Sequence, residues 1–321
     1  MGGKSKVADI VWDRFGDVPN YCEPFFGSGA VLLGRPHAPG TETVNDLDCM
    51  VANFWRALRN DPDGVAYHAD NPVNEADQHA RHLWLCSQAD FRETMKVDPD
   101  FYDSKIAGWW VWGQCIWIGS GWCAKQLPHL GDAGKGLNRQ LPHLGDAGTG
   151  VHRKLPHLGN AGTGILEAED CLSDRTSGTR RGLLEYMHQL ADRLRSVRVC
   201  CGDWERILGP SVTFKHGITG VFLDPPYADS ADRTESLYSE DSLTVAHDVR
   251  RWAIEAGTNP QLRIALCGYE GEHQMPADWE CVEWKAKGGY GSQGNNQARE
   301  NAARERIWFS PFCRRENTLF G

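Results

Sequence analysis

Apolar and polar residues alternate along this chain with two periods, and the change from one to the other marks its elements. Val7, Ile10, Val11 and Phe15 recur at the spacing of one helix face, so a short helix follows the Gly-rich opening. Tyr21 to Leu33 reads as a strand, a tight turn at Gly27 and Gly29, and a helix start. Glu42 to Asp46 predicts a second strand, followed by a helix through Met50, Val51, Phe54, Trp55 and Leu58. The strand and helix rhythm breaks at about residue 60 and resumes near 183, where Leu183, Leu184, Met187, Leu190, Ala191 and Leu194 keep helical spacing. Val197–Cys201 then predicts a strand, as do Gly220–Leu223 and Leu262–Cys267, with a helix over Val245–Ala256 between the last two. Trp279–Trp284 and Glu305–Phe309 predict a terminal hairpin joined by a Gly/Asn-rich loop over 288–296. Strands that alternate with helices imply an α/β fold.

The interruption between about 60 and 180 holds two unusual stretches. Trp109, Trp110, Trp112 and Trp117, with Trp122 beyond, form a cluster best read as buried core, with base stacking the lesser alternative. A tandem repeat follows over 125–136, 139–150 and 153–164, with Leu127, Leu141 and Leu155 marking a 14-residue step. Short units punctuated by Gly and Pro build no solenoid core, so the repeat reads as a duplicated surface extension. Its Lys125, Arg139, Arg153 and Lys154 are candidate phosphate contacts, set against the plainer reading of an inert loop.

Composition narrows the class. A chain of 321 residues suits one large α/β domain or one domain with a sizeable insertion. No apolar run approaches membrane-spanning length and the opening residues carry no apolar signal region, so a soluble cytoplasmic protein is expected, with no membrane partner. The 11 cysteines show no paired two-residue spacing, which argues for reduced thiols and against a metal cluster. A net charge of −9 speaks against a nucleic-acid partner on average. Residues 104–181, however, carry nine Lys and Arg against six acids, so the inserted segment is mildly basic, as a solvated face or a polyanion contact would be.

Candidate chemistry gathers where predicted strands end. Gly220–Leu223 runs into Asp224, Pro225, Pro226 and Tyr227, and the prolines stop the strand and leave carbonyls free beside a carboxylate. A planar amino group with two N–H donors fits that set of acceptors, and Tyr227 offers a face on which a planar ring can stack. Asp46 also closes a strand, at a distance from the Gly turn that suits a ribose-binding acid; a lone Asp there would otherwise be a helix cap. With Asp203 after the third strand, the acids suggest a polar crevice along the sheet's carboxyl edge. The polar stretch 228–241 suits a lid.

These motifs, Asp224-Pro225-Pro226-Tyr227, Glu23-Pro24-Phe25-Phe26-Gly27-Ser28-Gly29 and the opening Gly2-Gly3-Lys4, together resemble the Dam-like, alpha-group DNA adenine-N6 methyltransferases of bacteria and their phages. Glu305–Pro311 resembles their closing strand, and the motifs stand in that group's order from residue 2 to residue 311. The resemblance implies a Rossmann-like, S-adenosylmethionine-dependent fold, a mostly parallel seven-stranded sheet with a terminal antiparallel hairpin. It divides the chain into a discontinuous catalytic domain, 1–59 and 182–321, and an inserted target-recognition region, 60–181. It further implies that Gly3 and Lys4 contact the cofactor with Glu23, Phe25, Phe26, Gly27 and Gly29. Asp46 would face the ribose and Asp203 the cofactor's adenine. Asp224, Pro225, Pro226 and Tyr227 would be catalytic, with Asp224 also beside the cofactor. The implied reaction is methyl transfer to N6 of adenine in double-stranded DNA at a specific site, without a metal, in a bacterial cell or a phage-infected host, with or without a cognate restriction enzyme. Methylation of RNA or of a protein amide through the same motif, and a catalytically silent DNA-binding relative, are the alternatives.

Overall fold

A computed structural model describes residues 5–98, 100–116, 122–123, 180–226, 245–284 and 304–315. Gly3, Lys4, Tyr227, the 228–241 stretch, the 288–296 loop and the repeat with Lys125, Arg139, Arg153 and Lys154 lie outside the described residues.

Helix α1 (Ser5–Phe15) leads into β1 (Asn20–Glu23), the short α2 (Ala30–Leu33), β2 (Thr41–Asp46) and α3 (Cys49–Asn60). Helices α4 (Pro62–Ala69), α5 (Glu75–Cys86), α6 (Ala89–Val97) and α7 (Ser104–Ile116) follow. After α8 (Arg180–Leu194) come β3 (Val197–Cys201), β4 (Thr219–Leu223), α9 (Val245–Ala256), β5 (Leu262–Tyr269), β6 (Glu280–Glu283) and β7 (Glu305–Phe309).

The strands form one seven-stranded sheet in the order β3-β2-β1-β4-β5-β7-β6. The first five pair in parallel, whereas β7 pairs antiparallel with both β5 and β6, so the expected α/β sheet with a terminal antiparallel hairpin is what forms. Both faces of the sheet are covered. Tyr21, Phe222, Ala265 and Cys267 point into one core with α1, α3 and α8, and their alternates Cys22, Val221, Leu223, Ile264 and Leu266 point into a second with α9. The chain leaves β1 for β2 on one side and returns from β3 to β4 on the other, so β1 and β4 flank the point where strand order reverses. At such a point neighbouring connections leave the sheet on opposite faces and a crevice opens at the strands' carboxyl ends.

Within residues 60–116, α4, α6 and α7 pack on α3, α4 also packs on α8, and α5 packs on α7. The starts of α4, α5 and α7 are fixed by side-chain caps: Asp61 Oδ1 accepts from the Gly64 amide at 2.9 Å, Asn74 Oδ1 from Ala76 at 2.9 Å, and Asp103 Oδ1 from Ile106 at 2.8 Å. Trp110 and Trp112 are buried, and the Trp110 ring lies 5.7 Å from that of Phe54 on α3. Trp110, Trp112 and Trp122 are therefore core, continuous with the layer that covers the sheet; Trp109 is half-buried against it, and Trp117 lies outside the described residues. No helix among the described residues is long and apolar enough to cross a membrane.

Candidate functional site

The crevice is lined by the loops that follow β1, β2, β3 and β4. After β1, Pro24 removes an amide and the chain turns through Gly27 (φ 45°) and Gly29 (φ 65°), conformations that side-chain-bearing residues rarely adopt. A Cβ on Gly29 would meet the Phe26 ring at 2.8 Å, while the same position on Gly27 faces open space. The turn is held from β2: the Phe26 amide donates to the Asn45 carbonyl at 2.9 Å and the Gly27 amide to Asp46 Oδ2 at 2.8 Å. The Trp55 indole N–H of α3 donates to the Gly27 carbonyl at 3.1 Å.

Asp46 is half-buried, and its second oxygen accepts from the Asp48 amide at 2.9 Å. The cap of α3 is Asp48, whose Oδ1 accepts from Met50 at 2.8 Å, so Asp46 stands before the helix rather than on it. Burial and then the Asp48 charge push the Asp46 carboxyl up to about 7, against the pull of the two amides. A carboxylate accepts about four hydrogen bonds, so Asp46 keeps capacity after these two.

Glu23, the last residue of β1, is buried. Its Oε2 accepts from the Tyr21 hydroxyl at 2.8 Å, which comes from the same strand face two residues earlier. Burial raises its pKa well above the ordinary carboxylate range; the Asp224 and Asp46 charges raise it further, and the Tyr21 hydroxyl and Leu32 amide oppose the shift. Asp224 follows β4 and is half-buried, Pro225 is buried and Pro226 half-buried. The topology thus brings Glu23, Asp46 and Asp224, up to 201 positions apart in the chain, into one electrostatic neighbourhood.

Asp203 is exposed, and its Oδ1 accepts from the Glu205 amide at 2.9 Å, capping a 3-10 turn over Trp204–Ile207. That turn buries Trp204, whose ring stacks on Phe25 with centroids 6.3 Å apart and planes 25° from parallel. Trp252 of α9 meets the Trp204 ring edge-on at 6.4 Å. The wall formed by Phe25 and Trp204 was not expected from the sequence, and nor were Tyr21, Asn45 and Trp55. Of these, Tyr21 was within reach, because period two places it on the face of Glu23.

Chemically the crevice offers the Glu23 and Asp46 carboxyls of raised pKa, Asp224 ahead of two prolines, and a left-handed glycine turn whose Gly27 faces open space. No group of three or more His, Cys, Asp and Glu side chains suited to a metal occurs among the described residues. Comparison with curated proteins returns no match. Residues 1–99 match the family model described as D12 class N6 adenine-specific DNA methyltransferase, a description that agrees with the resemblance of the motifs.

Proposed function

We propose that the chain transfers a methyl group from S-adenosylmethionine to the N6 amino group of adenine in double-stranded DNA, at a short recognised sequence. The observation that carries this reading is the convergence of Glu23, Asp46 and Asp224 at the strand-order reversal, beside the open face of Gly27. Carboxyls crowded and half-desolvated in this way favour a cationic ligand that also brings hydroxyl donors. S-adenosylmethionine has both, a sulfonium and an ammonium on its methionine side and ribose hydroxyls beyond. Glu23, Phe25, Phe26, Gly27 and Gly29 would hold the methionine side, with Gly3 and Lys4 from the opening residues. Asp46 would take the ribose, and Asp203 with the Phe25 and Trp204 rings would take the adenine.

When bound, the cofactor supplies a methyl group on a good leaving group. The chain's own residues orient the acceptor. An adenine amino group cannot be reached within the base stack, so the target base is turned out of the duplex into the crevice. The Asp224 carboxylate and the Pro225 carbonyl accept its two amino hydrogens, which frees the nitrogen lone pair from the ring and aims it. Pro225 and Pro226 keep that turn rigid and leave its carbonyls without competing amides. Tyr227 stacks on the extruded ring. The proton leaves after transfer, so Asp224 acts as an acceptor and a guide without having to be a strong base. Residues 60–181, with Lys125, Arg139, Arg153 and Lys154, would form the region that meets DNA.

The deciding experiment is mass spectrometry of nucleosides from unmethylated DNA incubated with the protein and S-adenosylmethionine, followed by sequencing of the modified positions. N6-methyladenine at a recurrent short site is the expected result. Methylation of RNA or protein instead of DNA would overturn the substrate, and no cofactor binding at all would overturn the enzyme.

A further inference from the structure

Beyond the carboxyls, one buried side chain joins the two sides of the crevice. Asn45 is the penultimate residue of β2 and is 1 % exposed. Its Nδ2 donates to the Pro24 carbonyl at 3.1 Å and to the Gly202 carbonyl at 2.9 Å. These carbonyls belong to different loops. Pro24 opens the turn after β1 and Gly202 opens the turn after β3, on the other side of β2 in the sheet. The β1 to β2 ladder ends at Glu23 and Val44, and the β2 to β3 ladder ends at Asp46 and Cys201, so both loops diverge from the sheet at this level. Beyond the last rungs no strand amide is left to hold them, and Pro24 has none to give. The Asn45 amide nitrogen has two hydrogens and spends one on each loop. The backbone completes the brace: the Asn45 carbonyl accepts from Phe26, and the Asp46 carbonyl accepts from the Gly202 amide at 3.2 Å. The side-chain oxygen of Asn45 is buried with no partner among the described residues, so the residue is placed here for its donors.

Few residues can replace it. An ionised Asp would set acceptors against both carbonyls, Ser has a single donor, and Leu has none. We propose that Asn45 is a positioning residue that sets the distance between the two halves of the crevice, the 24–29 turn and the 202–204 turn. The inference rests on the reading of this crevice as the S-adenosylmethionine site. A ligand that spans both turns gains from their being held at the right separation, because the second half then binds as an intramolecular event. A ligand that touches one turn gains nothing from it.

The test compares the two kinds of ligand on the full chain. Calorimetry of S-adenosylmethionine, and competition by adenosine alone, are run on the wild type and on Asn45→Ala. Loss of two buried hydrogen bonds and of the fixed separation is expected to weaken S-adenosylmethionine about 10- to 100-fold, while adenosine changes by less than about twofold. Equal weakening of both ligands would show damage to a half-site and overturn the spacing role, and so would unchanged S-adenosylmethionine binding. A wild type that binds no S-adenosylmethionine would instead remove the cofactor reading, and this proposal with it. Should Asn45→Ala lack a cooperative melt, Asn45→Ser, which keeps a single donor, carries the same comparison with a smaller expected loss.

Discussion

The carboxyl edge of the sheet and the helical layer α4–α7 use the same residue types to opposite ends. In the helical layer Asp61 and Asp103 each satisfy an amide at a helix start, where the chain would otherwise leave donors unpaired, and the second oxygen of Asp61 accepts from the Ser104 hydroxyl of α7. At the edge, Asp46 also receives two amides, yet its pKa is pushed up to about 7, because burial and the Asp48 charge outweigh them. The tryptophans divide in the same way. Trp110 and Trp112 fill the core of the helical layer, Trp112 giving its indole N–H to the Asn71 carbonyl there, whereas the equally buried Trp55 gives its own to the Gly27 carbonyl of the site turn and Trp204 walls the crevice with Phe25. A cap relieves an electrostatic need, while the edge carboxyls keep one. Damage to the helical layer should therefore appear as lost stability, and damage to the edge as lost binding or turnover in a protein that still folds.

The sharpest attack on that contrast is Asp224→Ala. On the proposed mechanism it lowers methyl transfer by at least about 10³-fold, the cost of removing a preorganised acceptor, and leaves the melting curve and cofactor affinity nearly unchanged. Single-turnover assays beside calorimetry check this, and full activity would break the assignment. On the other side, Trp110→Ala should cost about 3–5 kcal/mol in denaturant unfolding, because its ring is buried against Phe54. A variant with wild-type stability would mean that the helical layer is not part of the main core.

An intermediate effect follows from the titration of Asp46. Its folded pKa lies above the ordinary carboxylate value, so the folded, unliganded protein holds a proton that the unfolded chain releases. Stability then falls as pH rises from about 4 to about 7, and the full cost is present above 7. Ribose hydroxyls donate to the ionised form, so S-adenosylmethionine affinity should weaken about tenfold per pH unit below 7. Binding should also release protons, measurable as a buffer-dependent heat, and Asp46→Asn should abolish both signatures. The smallest expected effect is that of Asp61→Ala, about 1–2 kcal/mol from a lost helix cap and the lost Ser104 hydrogen bond, with cofactor affinity untouched. A large affinity loss there would blur the two regions into one.

Much of the fold was legible because its signals are local. α3, α9 and the β7 strand lie within a residue or two of where hydrophobic spacing predicts them, since period and turn residues act over a few positions. The site was legible in its parts, with Gly27 and Gly29 in the turn after β1 and Asp46 and Asp224 where β2 and β4 end. Two refinements needed neighbours distant in the chain. Asp48 takes the cap of α3 that a lone reading of Asp46 allowed, and Asp203 caps the 3-10 turn that carries Trp204 to Phe25. Neither the turn nor the stack has a periodic signature.

By itself, then, the sequence determined which segments are strands and helices, where the backbone must turn, and which acids and prolines close the strands. Each of these follows from sterics and burial within a short window. Only the tertiary structure decided that β1 lies between β2 and β4, so that Glu23 and Asp224 come into one electrostatic neighbourhood, and that Asn45 ties the loops on either side of β2. Strand pairing joins residues far apart in the chain, and the burial that lifts carboxyl pKa values exists only once those strands have met.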